Sequence, residues 1–157
     1  MMLLRPAREP DTAGVHALIA HVYVEYGCSL NVEEEEHLQR PGPYFREHGG
    51  EFWVLEDDGA ILATVAVVVH AAEDAAELKS LYVDASLRRQ GWGRRLVGVA
   101  SEYALRSGAR RMFLWSDTRF VEAHGLYRSM GFRELDGTRE LHDSNNSVEY
   151  GFDKSLV

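Results

Sequence analysis

The sequence predicts an α/β (α+β) fold, in which a central mixed, mostly antiparallel β-sheet is flanked by helices. A nearly continuous apolar run at 61–69 is typical of a central strand buried on both faces. Apolar residues follow helical spacing at 12–26 and 92–107, and a glycine follows each stretch. Strands precede helices in the middle of the chain, so we expect antiparallel pairing early and parallel pairing across the second of these helices.

The first half of the chain begins with a predicted strand and a helix that Asp11 or Thr12 can cap. A second, short helix is expected to start at Asn31, with acidic residues in its first turn. The run Pro41-Gly42-Pro43 is expected to end that helix and open a loop through Gly49-Gly50. In chain order the predicted elements are a strand at 3–7, helices at 12–26 and 31–40, and a hairpin of strands at 51–56 and 60–70.

The second half alternates strands and helices before a final antiparallel pair. The predicted elements are a strand at 76–83, a helix at 92–107, a strand at 111–116, a helix at 122–130, and strands at 132–135 and 148–154. The whole order is β-α-α-β-β-β-α-β-α-β-β. A length of 157 residues suits one domain spanning 1–157.

The charge distribution excludes a nucleic-acid binder as the leading function. The net charge is −8, but residues 1–86 carry 5 basic and 16 acidic side chains, whereas residues 87–157 carry 12 basic and 9 acidic ones. Almost all of the basic residues are arginines, which suits phosphate recognition but also fits a codon bias. The single cysteine, Cys28, excludes a disulfide framework and a cysteine-based zinc site, and no metal is expected. No apolar run approaches a membrane span and no signal peptide is recognisable, so a cytoplasmic protein without membrane contact is expected.

The segment between the strand ending at Val83 and the helix after Gly91 carries the clearest chemical signal. Two glycines, Gly91 and Gly93, open a helix whose first N–H groups have no helical partner. Together with the helix dipole, such groups form a site for an anion such as a pyrophosphate. The pattern Arg-x-x-Gly-x-Gly is neither the Rossmann nor the Walker motif, and the glycines alone are also compatible with a tight strand-to-helix turn.

Three stretches in order resemble the GNAT superfamily of acyl-CoA-dependent N-acetyltransferases. They are ELKSLYV at 77–83, RRQGWG at 88–93 and AHGLYRSMGF at 123–132, the last of which matches the pattern A-x-x-L-Y-x-x-x-G-F. The order of predicted elements also matches that family along nearly the whole chain. The first 50 residues match in element order alone, and in this family they usually govern the acceptor substrate.

The resemblance implies that acetyl-CoA is the acyl donor and enters where the strands ending near Val83 and Ser116 splay apart. The pantetheine arm would pair with Leu81 and Val83 as an added strand, and the Leu81 N–H would face the thioester carbonyl. Backbone N–H groups of the glycine turn would hold the pyrophosphate, and nearby arginines, Arg95 among them, would screen its charge. The implied cofactor-binding residues are Leu81, Tyr82, Val83, Arg88, Arg89, Gln90, Gly91, Trp92, Gly93, Arg94, His124 and Tyr127.

The resemblance also assigns catalytic roles. Tyr127 matches the tyrosine that protonates the departing thiolate, although it is also compatible with a core aromatic. Glu77 stands at the strand position where several members carry a general base, although a glutamate there also fits a solvated edge charge. His70, Glu73 and His124 are weaker alternatives for the base. Two departures from the family pattern are Phe120, where many relatives have a cofactor-contacting asparagine, and Trp92, where a smaller aliphatic residue is usual.

The resemblance places the acceptor site against the first two helices, with Tyr23, Tyr26 and Asn31 as substrate-binding candidates. The acidic half of the chain favours a cationic amine, small molecule or peptide, as acceptor. The run Glu33–Glu36 either lines this site or is a solvated helix start. The loop 142–147 is expected to form the other wall or a homodimer contact.

The leading hypothesis is an N-acetyltransferase that transfers acetyl from acetyl-CoA directly to a primary amine in a ternary complex. Cys28 lies outside the motif region, so nothing indicates a covalent thioester intermediate. The alternative is a non-catalytic acyl-CoA-binding regulatory or sensor domain. A nucleotide-binding module of another class is the third hypothesis, and the tyrosine motif disfavours it.

Overall fold

The computed structural model describes residues 1–157 as one seven-stranded sheet with five α-helices around it. The strands are β1 (Met2–Pro6), β2 (Gly50–Asp57), β3 (Ala60–His70), β4 (Ala75–Val83), β5 (Arg111–Asp117), β6 (Arg133–Glu140) and β7 (Val148–Ser155). The helices are α1 (Thr12–Glu25), α2 (Glu36–Gln39), α3 (Pro41–Glu47), α4 (Trp92–Arg106) and α5 (Val121–Ser129).

The strands follow the order β1-β2-β3-β4-β5-β7-β6 across the sheet. Only β4 and β5 pair in parallel, and every other neighbouring pair is antiparallel. The predicted mixed, mostly antiparallel sheet is therefore confirmed. The chain crosses from β4 to β5 through α4, as a parallel pair requires.

Two hydrophobic cores cover the two faces of the sheet. The larger one packs α4 and α5 against the sheet and includes Leu96, Ala100 and Tyr127. The second packs α1, α2 and α3 against the other face through Ile19, Leu38 and Phe45 among others. Side chains of β2 alternate between the two cores, as the period of two in a strand demands.

The expected loop after Pro41 is wrong, because the structure has the helix α3 beginning at that proline. Proline suits the first turn of a helix, where an N–H has no intrahelical partner in any case. The expected single helix from Asn31 is instead a 3-10 turn at Val32–Glu34 followed by the short α2. The structure therefore has one helix more than the predicted order.

The start of α1 also differs from the predicted cap. Asp11 stands at the N-cap position but makes no side-chain bond to the helix, and Thr12 is already its first residue. The Asp11 carboxylate instead accepts two hydrogen bonds from Arg5, at 2.7 and 2.9 Å. This guanidinium holds the pKa of Asp11 below its usual value. Asn31 does cap its turn, since its side chain accepts from the Glu33 N–H at 3.2 Å.

The feature that positions the site is the opening between β4 and β5. These strands pair only at Ala75–Glu77 against Arg111–Phe113. Beyond that point β4 continues to Val83 and β5 continues to Asp117 without pairing to each other. On their outer sides β5 stays paired with β7 as far as Asp117 and β4 stays paired with β3 as far as Val83, so the opening separates two strands that each keep their other partner.

Candidate active site

A cavity of about 1020 Å³ fills the opening between the two strands. Its walls come from β4, β5, the end of α1, the start of α4, α5 and the loop before β7. Among the residues predicted from the sequence, those that line it are Tyr23, Tyr26, Asn31, Glu77, Leu81, Tyr82, Val83, Arg88, Arg89, Gly91, Trp92, Gly93, Arg94 and Tyr127. The structure thus brings the predicted cofactor, acceptor and catalytic residues to one place.

Two predicted cofactor residues do not line the cavity. His124 is 2% exposed, and its Nε2 lies 3.0 Å from Ser116 Oγ beneath the sheet. Burial lowers the pKa of its imidazole, which suits a core histidine. Gln90 is exposed, and its amide donates to the Ser86 carbonyl. Helical spacing alone does not separate His124 from Tyr127, because the difference depends on how α5 is rotated against the sheet.

A β-bulge shapes the β4 wall of the cavity. Between β3 and β4 the register changes from Ala66 opposite Lys79 to Thr64 opposite Tyr82, so β4 carries one extra residue. Ser80 in this bulge has a left-handed φ of 54°, and its carbonyl accepts from Thr64 Oγ1 at 2.8 Å. The bulge interrupts the β3–β4 ladder at Ser80 and Leu81. Leu81 carries the N–H that is predicted to face the thioester carbonyl.

The turn before α4 exposes an unbroken row of N–H donors. The N–H groups of the six residues from Arg89 to Arg94 have no hydrogen-bond partner in the chain, and Arg95 is the first to donate, to the Gly91 carbonyl at 3.1 Å. Arg89 and Gly91 both have left-handed φ, 62° and 82°. Successive N–H groups in such a turn point toward one spot and form an anion-binding concavity.

The two glycines of this turn serve different ends. At Gly91 a Cβ would meet no atom within 4 Å, so its glycine is explained by the left-handed backbone. At Gly93 a Cβ would lie 2.9 Å from Leu126 Cδ2, so its glycine lets α4 approach α5 closely. The tight-turn and anion-site interpretations of the sequence therefore describe one and the same turn.

The arginines around the turn are not equally available to a phosphate. Arg88 forms a bidentate ion pair with Glu25, at 2.5 and 2.9 Å, and also donates to the Val83 carbonyl. Arg94 contacts only the Ser129 hydroxyl, at 2.8 Å, and Arg89 makes no side-chain contact of this kind. Arg88 thus ties the turn to α1, whereas Arg89 and Arg94 keep their charge free.

Tyr127 borders the cavity from the larger core. Its residue is 5% exposed, and its ring packs against Phe132 and Phe152. Burial raises the pKa of this phenol, and no charged group contributes to the shift. The phenol therefore stays protonated at neutral pH, as a proton donor must.

Glu77 lies on β4 at the last pair before the strands diverge. Its Oε1 is 3.3 Å from His70 Nε2, and its Oε2 is 3.6 Å from Lys79 Nζ. The side chain is 16% exposed and borders the cavity. A carboxylate with one histidine neighbour that reaches solvent is suited to accepting a proton and passing it outward. Sequence patterns do not join His70 to Glu77, because strand pairing alone makes them neighbours.

The wall predicted from the sequence to bind the acceptor, the acceptor wall, begins with a hydrogen-bonded chain of Tyr82, Tyr23 and Glu35. Tyr23 donates to Glu35 Oε1 at 2.9 Å, and its hydroxyl lies 3.2 Å from that of Tyr82. Burial raises the pKa of both phenols and also that of the Glu35 carboxyl, which the Asp143 and Glu34 charges raise further. Of the acidic run, Glu34 and Glu35 border the cavity.

Phe120, which stands where many relatives have asparagine, joins an aromatic cluster in this wall. Its ring packs edge-on against Tyr26 and Tyr82, with centroids 4.9 and 6.3 Å away. Tyr26 donates to Glu122 at 2.6 Å, and burial raises its pKa to about 12. A polar contact from position 120 is thus replaced by apolar packing between α1 and α5.

The loop before β7 closes the opposite side of the acceptor wall. Ser144 N–H donates to Glu34 at 3.0 Å, and Asn145 exchanges hydrogen bonds with the backbone of Ser29 at 2.8 and 3.0 Å. The Arg119 guanidinium donates to the Asn145 carbonyl at 2.6 Å. Sequence reasoning offered Glu35 within the run Glu33–Glu36 but missed Asp117 and Arg119, since no sequence pattern joins positions 117–119 to Cys28 or Asn145.

Comparison with known proteins places the chain among acetyltransferases. A family model described as "Acetyltransferase (GNAT) family" matches residues 15–132. The uncharacterized N-acetyltransferase YjgM of Escherichia coli (strain K12) is 25% identical over 131 residues, 80% of this chain and 78% of that protein. Human N-acetylaspartate synthetase is 29% identical over 117 residues, 74% of this chain but only 37% of that protein.

Solved structures support the same fold. An acetyltransferase of the GNAT family from Staphylococcus aureus Mu50 superimposes with a TM-score of 0.86 at 16% identity, covering 100% of both chains. A phosphinothricin acetyltransferase from Sinorhizobium meliloti, solved in complex with AcCoA, gives a TM-score of 0.75 at 18% identity and covers 99% of this chain and 88% of its own.

The fold and the site define an acyltransferase. Because the family model spans most of its length, this chain belongs to the GNAT acetyltransferase family. The predicted family, fold class and enzyme class are thereby confirmed. No helix in the structure is long and apolar enough to span a membrane.

Proposed function

We propose that this enzyme transfers an acetyl group from acetyl-CoA to a primary amine, directly and in a ternary complex. The observation that carries the proposal is the row of six free N–H donors from Arg89 to Arg94 at the end of an opened sheet. This arrangement offers a pyrophosphate site next to an unpaired strand edge. A CoA donor requires both.

The residues that line the cavity suit such a donor. When bound, acetyl-CoA supplies the reactive thioester and a thiolate leaving group. Leu81, Tyr82 and Val83 would pair with the extended pantetheine arm along the open edge of β4. Arg89 and Arg94 would balance the phosphate charge, because neither is held in an ion pair. Arg88 would act indirectly, by fixing the turn against Glu25.

Glu77 would accept the proton that an alkylammonium must lose before its nitrogen can attack. His70, at 38% exposure, offers a route from Glu77 to solvent. The Leu81 N–H would stabilise negative charge on the carbonyl oxygen, an effect of typically about 3–4 kcal/mol. After bond exchange the amide nitrogen has lost a second proton, so one proton is released overall once the sulfur is protonated.

Tyr127 would supply the proton to the departing sulfur. A thiol has a pKa of about 8.5 and a phenol has one of about 10. Burial raises the pKa of the Tyr127 phenol further. The phenol is therefore protonated at the start of each cycle. Solvent restores its proton after turnover.

Cys28 supports direct transfer rather than an acyl-enzyme. Its thiol is buried, and burial raises its pKa, so the reactive thiolate is disfavoured. Arg119 Nη1 contacts the sulfur at 2.6 Å and occupies one approach to it. A ternary complex needs no such nucleophile.

The acceptor can be identified by testing a defined panel of amines. Names among similar proteins suggest L-aspartate, from N-acetylaspartate synthetase, spermidine, from a SpeG chimera, and an N-terminal alanine peptide, from a ribosomal-protein-alanine N-acetyltransferase. The acidic acceptor wall, with Glu34, Glu35 and Asp143, favours the cationic members of this panel.

The proposal is tested by melting the protein with and without acetyl-CoA and then measuring CoA release with each amine. At about 100 times its Kd, acetyl-CoA should stabilise the fold by about 2.7 kcal/mol. No shift at millimolar acetyl-CoA would contradict the donor assignment. A shift in melting temperature without CoA release in the presence of any amine would favour an acyl-CoA sensor over an acetyltransferase that uses acetyl-CoA.

A further inference from the structure

Asp117 is a second carboxylate in the opening of the sheet, on the strand opposite Glu77. Glu77 pairs with Phe113 in the parallel ladder, and Leu81 and Asp117 each lie four residues further along their strands. Because the Ser80 bulge adds one residue to β4 between Glu77 and Leu81, the two positions lie across the opening within about one residue of the same level. Strand alternation puts Asp117 and Trp115 on the same face of β5, and both border the cavity.

The Asp117 carboxylate is buried, but only one of its two oxygens bonds to the protein. The residue is 8% exposed, and its Oδ1 accepts from the Arg119 N–H at 2.9 Å and lies 3.2 Å from Arg119 Nε. Its Oδ2 has no hydrogen-bond partner in the chain, and it is not sealed from the cavity. A buried carboxylate oxygen without a donor is costly unless a ligand or solvent supplies one.

Arg119 does not take up this open oxygen. Its Nη1 contacts Cys28 Sγ and its Nη2 donates to the Asn145 carbonyl, both at 2.6 Å. Only Nε faces Asp117, on the side of Oδ1. The guanidinium thus fixes the orientation of Asp117 and leaves Oδ2 for another cation.

The charges near Asp117 favour a cationic partner. Arg119 is paired with Asp117 itself. Asp143 and Glu35 also border the cavity, and neither of these carboxylates forms an ion pair with an arginine or lysine. Lys79, on the opposite strand, is paired with Glu77. An ammonium group that enters beside Leu81 from this side therefore meets carboxylates from both strands.

We propose that Asp117 binds the ammonium group of the acceptor and holds its nitrogen opposite the Leu81 N–H, where the acetyl carbonyl would lie. This inference rests on the proposed function, and it deepens it by defining the acceptor as an alkylamine that binds in its protonated form. Glu77, four residues back along the other strand, then receives the proton through intervening water. Asp117 is in this view the binding residue and Glu77 the base.

The competing explanation is that Asp117 only shapes the turn into α5 through its bond to the Arg119 N–H. Asp117→Asn separates the two, because an asparagine oxygen can still accept from that N–H while the charge is lost. Asp153→Asn is a matched control, since Asp153 is also 8% exposed and paired with arginines but does not border the cavity. Thermal melting verifies that both variants fold.

The test uses two CoA thioethers, so that it does not depend on knowing the acceptor. S-(2-aminoethyl)-CoA carries an ammonium close to where the acceptor nitrogen would lie, and S-propyl-CoA has a methyl group in its place. A hydrogen bond to a charged group should make wild type bind the first about 10- to 100-fold more tightly. Calorimetric Kd values for both probes give this preference directly.

The preference for S-(2-aminoethyl)-CoA over S-propyl-CoA should fall to near one in Asp117→Asn and should persist in Asp153→Asn. Equal binding of both probes to wild type overturns the inference while leaving the CoA assignment intact. A preference lost in Glu77→Gln but kept in Asp117→Asn also overturns it, and assigns the ammonium to Glu77. If neither probe binds at millimolar concentration, the proposed CoA donor fails, and this inference fails with it.

Discussion

The two sides of the cavity are built on different principles. On the proposed cofactor side, the donors are backbone N–H groups of six consecutive residues, and the left-handed φ of Arg89 and Gly91 sets their direction. On the proposed acceptor side, the wall is made of side chains from distant segments that bond to one another or to distant backbone, as Tyr23 does with Glu35 and Arg119 with the Asn145 carbonyl.

This difference determines how each side of the cavity should respond to substitution. A backbone site tolerates changes of side chain as long as the turn is kept, and this explains why Trp92 can replace a smaller residue. A site made of side chains changes its preference with each substitution. We therefore expect substitutions on the two sides to have separable effects on donor and acceptor kinetics.

The largest effect is expected for Tyr127→Phe, where the two sides meet. Loss of the proton donor should reduce kcat by about 10²- to 10⁴-fold while the Kd of acetyl-CoA stays unchanged. Stopped-flow detection of CoA release and calorimetry measure the two quantities. Tyr150→Phe is the control, since Tyr150 packs on the same core outside the cavity. Full activity in Tyr127→Phe would remove it from the reaction.

Glu77→Gln should reduce kcat for the amine by about 100-fold at neutral pH, because an amide cannot accept the proton. Glutamine keeps the shape of the side chain and its contact with His70. The loss should shrink as the pH rises and more of the amine is already neutral in solution. A pH–rate profile identical to that of wild type would contradict the role as base.

Gly91→Ala should weaken the cofactor side alone. The left-handed φ of 82° should cost about 1 kcal/mol of stability with alanine, and a comparable distortion of the turn would lower acetyl-CoA affinity roughly fivefold. Gly98→Ala, in the middle of the same helix and equally unobstructed, should instead stabilise the fold by about 0.5–1 kcal/mol. Melting curves with and without acetyl-CoA distinguish the pair, and equal effects would refute this account of the turn.

The smallest effect is expected for Glu35→Gln on the acceptor side. Burial raises the pKa of this carboxyl, so its ionised form destabilises the fold as the pH rises through that pKa. The substitution should therefore raise Tm at pH 8, by roughly 2–4 °C for each kcal/mol gained, and should have little effect at acidic pH. Glu33→Gln, exposed in the same run, should leave Tm unchanged at both. A lower Tm for Glu35→Gln at pH 8 would contradict the sign.

The sequence predicted the strand, turn and helix of the proposed cofactor side because this structure is local. The glycines at 91 and 93, the strand before them and the helix after them all lie within residues 75–106, and α4 begins and ends where the glycines indicate. The parallel pairing of β4 and β5 followed from that helix. The choice of Tyr127 came from the resemblance of the segment 123–132 to the GNAT pattern.

The acceptor side could not be predicted to the same extent, because tertiary contacts decide it. Pro41 and Pro43 act as helix breakers in most contexts, but here they occupy the first turn of α3. Asp117 and Arg119 carry no sequence pattern of their own, and their roles emerge only where β5 meets the loop before β7. His124 shares helical spacing with Tyr127, yet it faces Ser116 in the core.

The bonds between the loop before β7 and the segment after α1 join residues 110 and 116 positions apart. Closing loops of this length costs chain entropy that only late native contacts repay. The acceptor wall should therefore be among the last parts of the molecule to form, after the turn that holds the donor. A chain that can already bind acetyl-CoA would then still be completing the surface that chooses its acceptor.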